Sequence, residues 1–227
     1  MELVTIARIK SDFPTKFGLP RQSGLVEELH SLVVLEKEYA VPEALRGMEG
    51  FSHLWLIWGF SEISREEWSP TVRPPRLGGN QRMGVFATRS PYRPNPLGLS
   101  CVRLIRIVHE SGQLVLEVAG ADLMDGTPIY DIKPYLPFTD SRPDALSGFA
   151  GPVREDHLRV IIPPEWLKRI PEDKRDALIG VLRGDPRPSY HDDPERIYGF
   201  GFAGMEVRFQ VSEGVLTVCE ILPPDRQ

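Results

Sequence analysis

Glycine and proline interrupt this chain so often that most of its apolar runs are short. The 227 residues include 20 glycines and 22 prolines, and the runs between them are rich in Val, Ile and Leu. Short apolar runs separated by turn residues are typical of antiparallel β-strands. The sequence therefore predicts a mainly β protein whose first 150 residues require no helix, with strands at residues 4–10, 29–35, 53–60, 83–88, 100–108 and 113–119.

These predicted strands are apolar on both faces, which favours a sheet that closes on itself. In a barrel, each strand has an inner face and an outer face that other elements can cover. Residues 109–112, which read HESG, are suited to a hairpin turn between the last two strands. No GxGxxG motif is present, so a nucleotide cofactor would not be held as in a Rossmann fold. We predict an antiparallel, single-sheet β-barrel domain over residues 1–150.

The pattern of the sequence changes after residues 140–155, from short apolar runs to a mix of helical and alternating segments. This loop-like stretch marks the predicted domain boundary. Short helices are predicted at residues 164–170 and 172–183, the second following Pro171 and ending before Gly184. Residues 205–211 and 215–222 alternate between apolar and polar, which indicates a half-buried hairpin. Residues 151–227 thus form a predicted small α+β domain that packs on the first.

One loop, at residues 84–100, is stiffened by prolines and can hold its side chains in fixed positions. It reads GVFATRSPYRPNPLGLS. Pro91, Pro94 and Pro96 cannot sit inside a paired strand or a helix, and they hold the backbone extended. Arg89 and Arg93 therefore project from a stiff backbone. A planar guanidinium in that setting suits recognition of a carboxylate, a phosphate or a nucleobase.

Charge is distributed unevenly along the chain. The net charge of −5 argues against coating nucleic acid by bulk electrostatics. Between Trp68 and Arg106, however, there is no acid and no lysine, but there are seven arginines: Arg73, Arg76, Arg82, Arg89, Arg93, Arg103 and Arg106. Such a basic sector can bind RNA on an acidic protein. The alternative is that these arginines pair with the acids of residues 107–156 across a sheet.

Two further features bear on where the protein works. Cys101 and Cys219 each lie in an apolar alternating run, which predicts buried thiols rather than a disulfide. No apolar stretch approaches the length of a membrane span, and the first residues lack a secretory signal pattern. We expect a cytoplasmic protein.

Several long motifs occur in an order that resembles one known family. Besides the loop at residues 84–100 these are PRQ at 20–22, FSHLWLIW at 51–58, RPPRLGGN at 73–80, DLMDGTPIYDIKPYLPF at 122–138 and GDPRPSY at 184–190. Together they resemble the TrmO family, formerly TsaA, of tRNA N6-adenosine methyltransferases. The resemblance implies a homodimer that uses S-adenosylmethionine to methylate N6-threonylcarbamoyladenosine at position 37, beside the anticodon of a tRNA such as tRNA-Thr.

The resemblance also implies a cofactor site made from four parts of the chain. Ser61 departs from the pattern, because relatives often carry His there. The implied contacts with the cofactor are Pro20, Arg21, Gln22, Phe60, Ser61, Arg89, Leu99, Asp122, Leu123, Met124, Asp125, Gly126 and Thr127.

Three aspartates, Asp122, Asp125 and Asp131, lie within ten residues around a DGTP turn. Clustered carboxylates can hold ribose hydroxyls or an ammonium group, or accept a proton. For Asp125 the alternative is an ordinary turn, in which Asp followed by Gly is common. A carbamoylated N6 is a poor nucleophile, so a base should assist methyl transfer. The candidates are Asp122, Tyr92 and Lys133.

Residues expected to contact tRNA combine arginine and tyrosine in stiff loops: Arg76, Tyr92, Arg93, Arg187 and Tyr190. For Arg187 and Tyr190 an ordinary helix-ending loop explains the same prolines. His53, Trp55 and Trp58 are interpreted as core residues.

Two other classes of function remain open at this stage. One is a non-catalytic module that binds S-adenosylmethionine or RNA without turnover. The other is a metal-dependent hydrolase built on the three aspartates and a histidine, which would lose activity in a chelator. No His and Asp spacing matches a metal-ligand motif, so we expect no metal.

Overall fold

The computed structural model describes residues 2–62, 68–74, 77, 79–110, 112–151, 157–187 and 193–223. Within these ranges the chain is dominated by β-strands. The strands are β1 (Ala7–Lys10), β2 (His30–Leu35), β3 (His53–Gly59), β4 (Thr71–Val72), β5 (Met83–Gly84), β6 (Leu97–Glu110), β7 (Gln113–Ala119), β8 (Pro128–Pro134), β9 (Arg159–Ile161), β10 (Tyr198–Phe202), β11 (Met205–Ser212) and β12 (Val215–Leu222). The α-helices are α1 (Pro137–Asp140), α2 (Pro164–Leu167) and α3 (Arg175–Arg183).

Six strands of the first half form one antiparallel sheet in the order β1-β2-β7-β6-β3-β8, and β1 also pairs with β8, so the sheet closes. Alternate residues along each strand point inward, as the two-residue period of a strand requires. In β3, for example, Leu54 and Leu56 are fully buried. The barrel interior is filled by these and other apolar side chains from all six strands.

A second apolar core lies in the second half of the chain. Strands β10, β11, β12 and β9 form a four-stranded sheet in which β12 and β9 are parallel. Helix α3 covers this core with one apolar stripe, made of Ala177, Leu178, Val181 and Leu182.

Part of the first half contributes to this second core. Phe13, Val26 and Leu29 pack in this second core, although they lie between barrel strands β1 and β2. Helix α3 approaches this segment so closely that a Cβ on Gly180 would lie 2.6 Å from Cγ1 of Val26. The two halves are therefore joined by apolar packing.

The structure confirms the prediction of a mainly β chain and corrects several boundaries. Of the predicted strand 83–88, only Met83–Gly84 is a strand, because the chain turns into a 3-10 helix at Val85–Ala87. Strand β6 extends through His109 and Glu110, which were predicted to form a turn. Both predicted helices are shorter, since Pro164–Leu167 ends early and a 3-10 turn at Glu172–Lys174 precedes α3.

Four strands, β4, β8, β9 and β10, were not predicted, for recognisable reasons. Strand β8 begins and ends with proline, and β10 reads YGFGF, so both carry residues that weaken a strand pattern. Strands β4 and β9 have only two and three residues. Cys101 and Cys219 are free thiols, as expected, but they are half-buried rather than buried. No helix in the described ranges is long and apolar enough to cross a membrane.

The barrel wall leaves no room for a side chain at Gly98. This residue lies opposite Trp58 in the β3–β6 register, and a Cβ there would lie less than 3.0 Å from three atoms of the indole ring. The Trp58 side chain is buried, so moving its indole ring away from residue 98 would disturb the packing of the barrel core. Gly98→Ala should therefore lower the free energy of unfolding by about 1–3 kcal/mol, measured by chemical denaturation.

Gly50→Ala is the matched control, because nothing lies within 4 Å of a Cβ at Gly50. It should change the free energy of unfolding by less than about 0.5 kcal/mol. Equal effects of the two substitutions would contradict the packing of Trp58 against Gly98.

Candidate active site

The candidate site lies where strand β7 leaves its neighbour β6. Strand β7 pairs with β6 only from Arg103 onward, whereas β6 begins six residues earlier at Leu97. The chain turns away at Gly120, whose φ of +77° favours glycine. A side chain there would also press on Gly24, since its Cβ would lie 3.3 Å from that backbone. Beside the start of β6, Ser23 contacts Cys101 and Asp122 contacts Ser100.

Asp122 is connected to the barrel core by a chain of two hydrogen bonds. The indole Nε1 of buried Trp58 donates to Oγ of Ser100 at 3.0 Å, and this hydroxyl donates to Oδ1 of Asp122 at 2.6 Å. Ser100 is itself buried. Because its one proton goes to the carboxylate and its oxygen accepts from the indole, Ser100 fixes the orientation of Asp122.

Burial raises the pKa of the Asp122 carboxyl. Hydrogen bonds from the Ser100 hydroxyl and from the amides of Asp122 and Ser23, together with the positive charge of Arg89, act against this shift without cancelling it. Removal from water penalises the charged form, which explains the direction. Asp122 is thus a carboxyl group with a raised proton affinity.

The loop at residues 20–24 docks onto β6 and brings Gln22 and Arg89 together. The amide of Cys101 in β6 donates to Oγ of Ser23 at 3.1 Å, and the amide of Gly24 donates to the carbonyl of Gly120 at 2.8 Å. The guanidinium of Arg89 donates to Oε1 of Gln22. The predicted cofactor residues Gln22, Arg89 and Asp122 therefore lie together, with Pro20 and Arg21 in the same loop.

Phe60 and Leu99, two of the predicted cofactor contacts, lie at the end of β3 and in β6. The ring of Phe60 lies edge-on to Trp58 with centroids 4.5 Å apart, and its amide donates to the carbonyl of Pro96. Ser61 follows it and is exposed. Leu99, next to Ser100, is 54% exposed, which is unusual for a leucine in a barrel strand.

The predicted segment 123–127 contacts both the barrel core and the chain around β1. Leu123 is buried in the barrel core, and the Thr127 hydroxyl donates to the carbonyl of Met124 at 2.7 Å. Oδ1 of Asp125 accepts from the amide of Ser11 at 3.0 Å, and the amide of Gly126 donates to Ile9. Asp125 therefore lies in a turn with Gly126, as its alternative interpretation predicted, and its carboxylate also accepts a hydrogen bond from Ser11 at the end of β1.

The other two candidate bases differ from Asp122 in their surroundings. Lys133 and Asp131 form an ion pair with Nζ and Oδ2 2.7 Å apart, and their side chains are 60% and 45% exposed. Lys133 is therefore already engaged with a neighbouring carboxylate, whereas Asp122 accepts a hydrogen bond from Ser100. Tyr92 is half-buried, and its carbonyl accepts from the amide of Ser69.

The predicted tRNA contacts fall into three groups. Arg76 and Tyr190 lie outside the described residues. Arg93 is half-buried, and its guanidinium donates to the carbonyl of Thr88 at 3.5 Å. Arg187 forms a two-bond ion pair with Asp185, with both distances 2.9 Å and its side chain 13% exposed, so it stabilises its own loop.

Of the seven arginines in the basic sector, Arg106 follows the alternative interpretation. It pairs with Glu117 across the β6–β7 ladder and lowers the pKa of that glutamate. Arg82 instead donates to the hydroxyl of Thr71 at 2.8 Å. Among the described arginines of this sector, Arg106 forms an ion pair with an acid across the sheet, whereas Arg82 bonds a hydroxyl.

The aromatic strand β3 only partly matches its predicted role as core. Trp58 is buried as predicted. Trp55 is half-buried, packs against Tyr135 and donates to Asp140 at 3.0 Å. His53 is also half-buried and contacts Ser52 through Nδ1. Trp55 and His53 thus belong to the outer face of the barrel.

Two residues of the site were missed at the sequence level. Ser100 orients Asp122, and its signal is a polar residue on the inward face of β6, in register with buried Leu56. Ser23 anchors the loop to β6 and immediately follows the PRQ motif.

A charged cleft of about 990 Å³ lies elsewhere, between the barrel and α3, and Asp125 is the predicted site residue among those that line it. Two of its lining residues, Lys174 and Asp12, form an ion pair with Nζ and Oδ2 2.7 Å apart. Among the described residues, no group of three or more His, Cys, Asp or Glu side chains is arranged to hold a metal ion.

Comparison with known protein families gives two matches along the chain. Residues 8–141 match the model of the tRNA-methyltransferase O N-terminal domain, and residues 156–224 match that of the TrmO C-terminal domain.

Similar proteins include enzymes of known activity and solved structures. The tRNA (adenine(37)-N6)-methyltransferase of Escherichia coli is 41% identical over 226 residues, which cover 96% of each chain. The enzyme of the same name from Eikenella corrodens is 45% identical over 178 residues, covering 74% of this chain and 95% of its own. The crystal structure of TrmO from Pseudomonas aeruginosa has a TM-score of 0.78 and 31% identity, covering 98% of this chain and 97% of that one. Since these matches extend over both halves of the sequence, the protein belongs to the tRNA-methyltransferase O family.

Proposed function

We propose that this protein transfers a methyl group from S-adenosylmethionine to N6 of adenosine 37 in tRNA. The observation that carries the proposal is the oriented Asp122 carboxyl, with its raised pKa, beside Arg89 and Gln22. Similar proteins from E. coli and E. corrodens bear the name tRNA (adenine(37)-N6)-methyltransferase. A similar protein from P. aeruginosa bears the name putative S-adenosylmethionine-dependent methyltransferase.

The finer proposal is that the acceptor is N6-threonylcarbamoyladenosine, for example in tRNA-Thr, and that the protein works as a homodimer in the cytoplasm. The domain arrangement is part of the same proposal, with residues 1–150 carrying the cofactor site and residues 151–227 assisting tRNA binding.

The chemistry of the side chains at the site fits S-adenosylmethionine. The cofactor carries an amino acid end with both charges, and the site offers the guanidinium of Arg89 for a carboxylate and the carboxylate of Asp122 for a cation or a hydroxyl. Leu99 is exposed on β6, and Phe60 packs against Trp58, so both offer apolar surface on the elements that carry these groups. When bound, S-adenosylmethionine supplies a methyl group activated by a positively charged sulfur.

The chain's own residues have two tasks in this reaction. Arg89 and Gln22, on stiff loops joined by a hydrogen bond, hold a ligand in one orientation, which lowers the entropic part of the barrier. Asp122 is proposed to accept the N6 proton at Oδ2, because Oδ1 already accepts from Ser100. A raised pKa makes a carboxylate a stronger base. The ion pair of Lys133 with Asp131 argues for Asp122 over Lys133 in this role.

The direct test is methyl transfer from labelled S-adenosylmethionine to two batches of total tRNA, one containing threonylcarbamoyladenosine and one from cells that lack it. Label in the first batch alone supports both the reaction and its dependence on the threonylcarbamoyl group. Equal label in both batches would overturn the finer acceptor. Cofactor binding without label in either batch would favour the non-catalytic module and direct attention to Ser61.

Asp122→Asn should lower turnover by roughly 10²- to 10⁴-fold, because it removes the proton acceptor while an amide oxygen can still accept from Ser100. Cofactor affinity, measured by calorimetry, separates two explanations of this loss. Unchanged affinity indicates that the variant lacks a base, whereas weakened affinity indicates that it lacks a cofactor-binding group. Asp144→Asn, at an exposed position, is the control and should retain activity. Full turnover of Asp122→Asn would remove Asp122 from the mechanism.

The same variant should alter the pH dependence of stability. A carboxyl whose pKa is raised by folding holds its proton more tightly in the folded state, so its contribution to stability is lost as pH rises from the unfolded pKa through the folded one. Asparagine does not titrate. In urea titrations, the free energy of unfolding of Asp122→Asn should therefore increase relative to that of the wild type as pH rises through this window, because the wild type loses stability there.

Arg89→Ala should raise the dissociation constant for S-adenosylmethionine roughly tenfold or more, since the variant cannot make a charged hydrogen bond to the ligand. Arg89→Lys keeps the charge but lacks the planar guanidinium, so its dissociation constant should lie between those of the wild type and Arg89→Ala. Arg142→Ala is the control, because Arg142 is exposed and donates to the neighbouring Ser141 carbonyl. An unchanged affinity in Arg89→Ala would exclude Arg89 from the cofactor site.

A further inference from the structure

We infer that the β4–β5 hairpin is a stacking surface for unpaired nucleotides of the tRNA substrate, with Phe86 and Trp68 as its platforms. The hairpin surface is defined as residues 68–74 and 82–88. This inference rests on the proposed function, because it assigns these residues to the RNA of that reaction. It adds two aromatic side chains to the expected tRNA contacts.

Two aromatic rings are presented to solvent on this small hairpin. Phe86 is 73% exposed and Trp68 is 52% exposed. Phe86 lies in the 3-10 turn Val85–Ala87, whose first residue, Val85, is 1% exposed. The turn is thus anchored by one apolar side chain while the next faces water. Both rings lie next to the paired strands β4 and β5, so they add apolar area to one small element.

The backbone beneath these rings is held by several hydrogen bonds. The amide of Val85 donates to the carbonyl of Pro70 at 3.0 Å, and the amide of Ser69 donates to the carbonyl of Tyr92 at 3.0 Å. The Thr88 hydroxyl donates to the carbonyl of Val85 at 2.8 Å. The rings are therefore mounted on a preformed backbone, which limits the entropy cost of binding.

The charge of this surface identifies the kind of partner. Residues 68–88 contain arginines but no aspartate or glutamate, although the whole chain has a net charge of −5. Arg73 and Arg82 are exposed. Aromatic rings interleaved with arginines suit unpaired nucleotides, whose bases stack on the rings while their phosphates contact the guanidinium groups.

The hairpin also lies close to the candidate site along the chain. Phe86 is three residues from Arg89, a separation that an extended chain spans in at most about 11 Å. A nucleotide bound beside the proposed cofactor site is therefore close along the chain to the backbone that carries the Phe86 ring. This proximity favours the nucleotides that flank the methylated base over the distant parts of the tRNA.

Phe86→Ala should weaken binding of an RNA stem–loop with an unpaired loop by roughly 5- to 100-fold, measured by fluorescence anisotropy. Phe86→Trp should restore binding, because stacking needs a ring. The same variants should bind a fully paired, blunt-ended RNA duplex as the wild type does. Phe138→Ala is the control: Phe138 is 85% exposed, but it lies on α1 beside Asp140.

Salt dependence separates stacking from phosphate binding. Arg73→Ala should make the plot of log affinity against log salt shallower by about 0.7 for each phosphate that the variant no longer neutralises, whereas Phe86→Ala should leave the slope unchanged. Equally weakened binding in Phe86→Ala and Phe138→Ala, or equal weakening with the loop and paired RNAs, would overturn the inference.

Two outcomes distinguish this inference from the proposed function. Wild-type methyl transfer together with unchanged RNA affinity in Phe86→Ala would overturn the stacking surface alone. RNA binding that depends on Phe86, without methyl transfer, would overturn the proposed function and support the surface. If Phe86→Ala instead altered the oligomeric state in sedimentation without changing RNA affinity, the surface would be a protein contact and the inference would fail.

Discussion

The hydrogen bond from Ser100 to Asp122 is the interaction on which the candidate site depends. It is made possible by buried Trp58, whose indole fixes the Ser100 hydroxyl, and by Gly98, which leaves room for the indole. A carboxyl placed there is largely removed from water, so its pKa rises. Barrel packing therefore determines both the orientation and the proton affinity of the residue proposed as the base.

A second constraint is that the two halves of the chain share a core. Phe13, Val26 and Leu29 pack with α3 and the second sheet, and Val26 and Leu29 closely follow the loop at residues 20–24 that docks beside Asp122. A chain cut after residue 154 would expose these apolar side chains to water. Single substitutions on the surface of the second half are thus a better probe of its part in tRNA binding than its removal.

Much of this arrangement was predictable, and the remainder has physical reasons. The turn-rich apolar pattern predicted the mainly β chain, and the motif resemblance predicted that Gln22, Arg89 and Asp122 share a site. Periodicity did not reveal β8 and β10, because Pro128, Pro134 and the glycines of β10 interrupt the pattern. The role of Ser100 depends on which residue faces it across the barrel, and register of that kind follows from three-dimensional packing.

The most direct test of this account is the pKa of the Asp122 carboxyl, measured by carbon-detected NMR titration of the free protein and of its complex with S-adenosylmethionine. The account predicts a pKa above the value of about 3.9 for an unperturbed aspartate in the free protein, which falls when the positively charged ligand binds nearby. An ordinary pKa that the ligand leaves unchanged would contradict the central role assigned to Asp122.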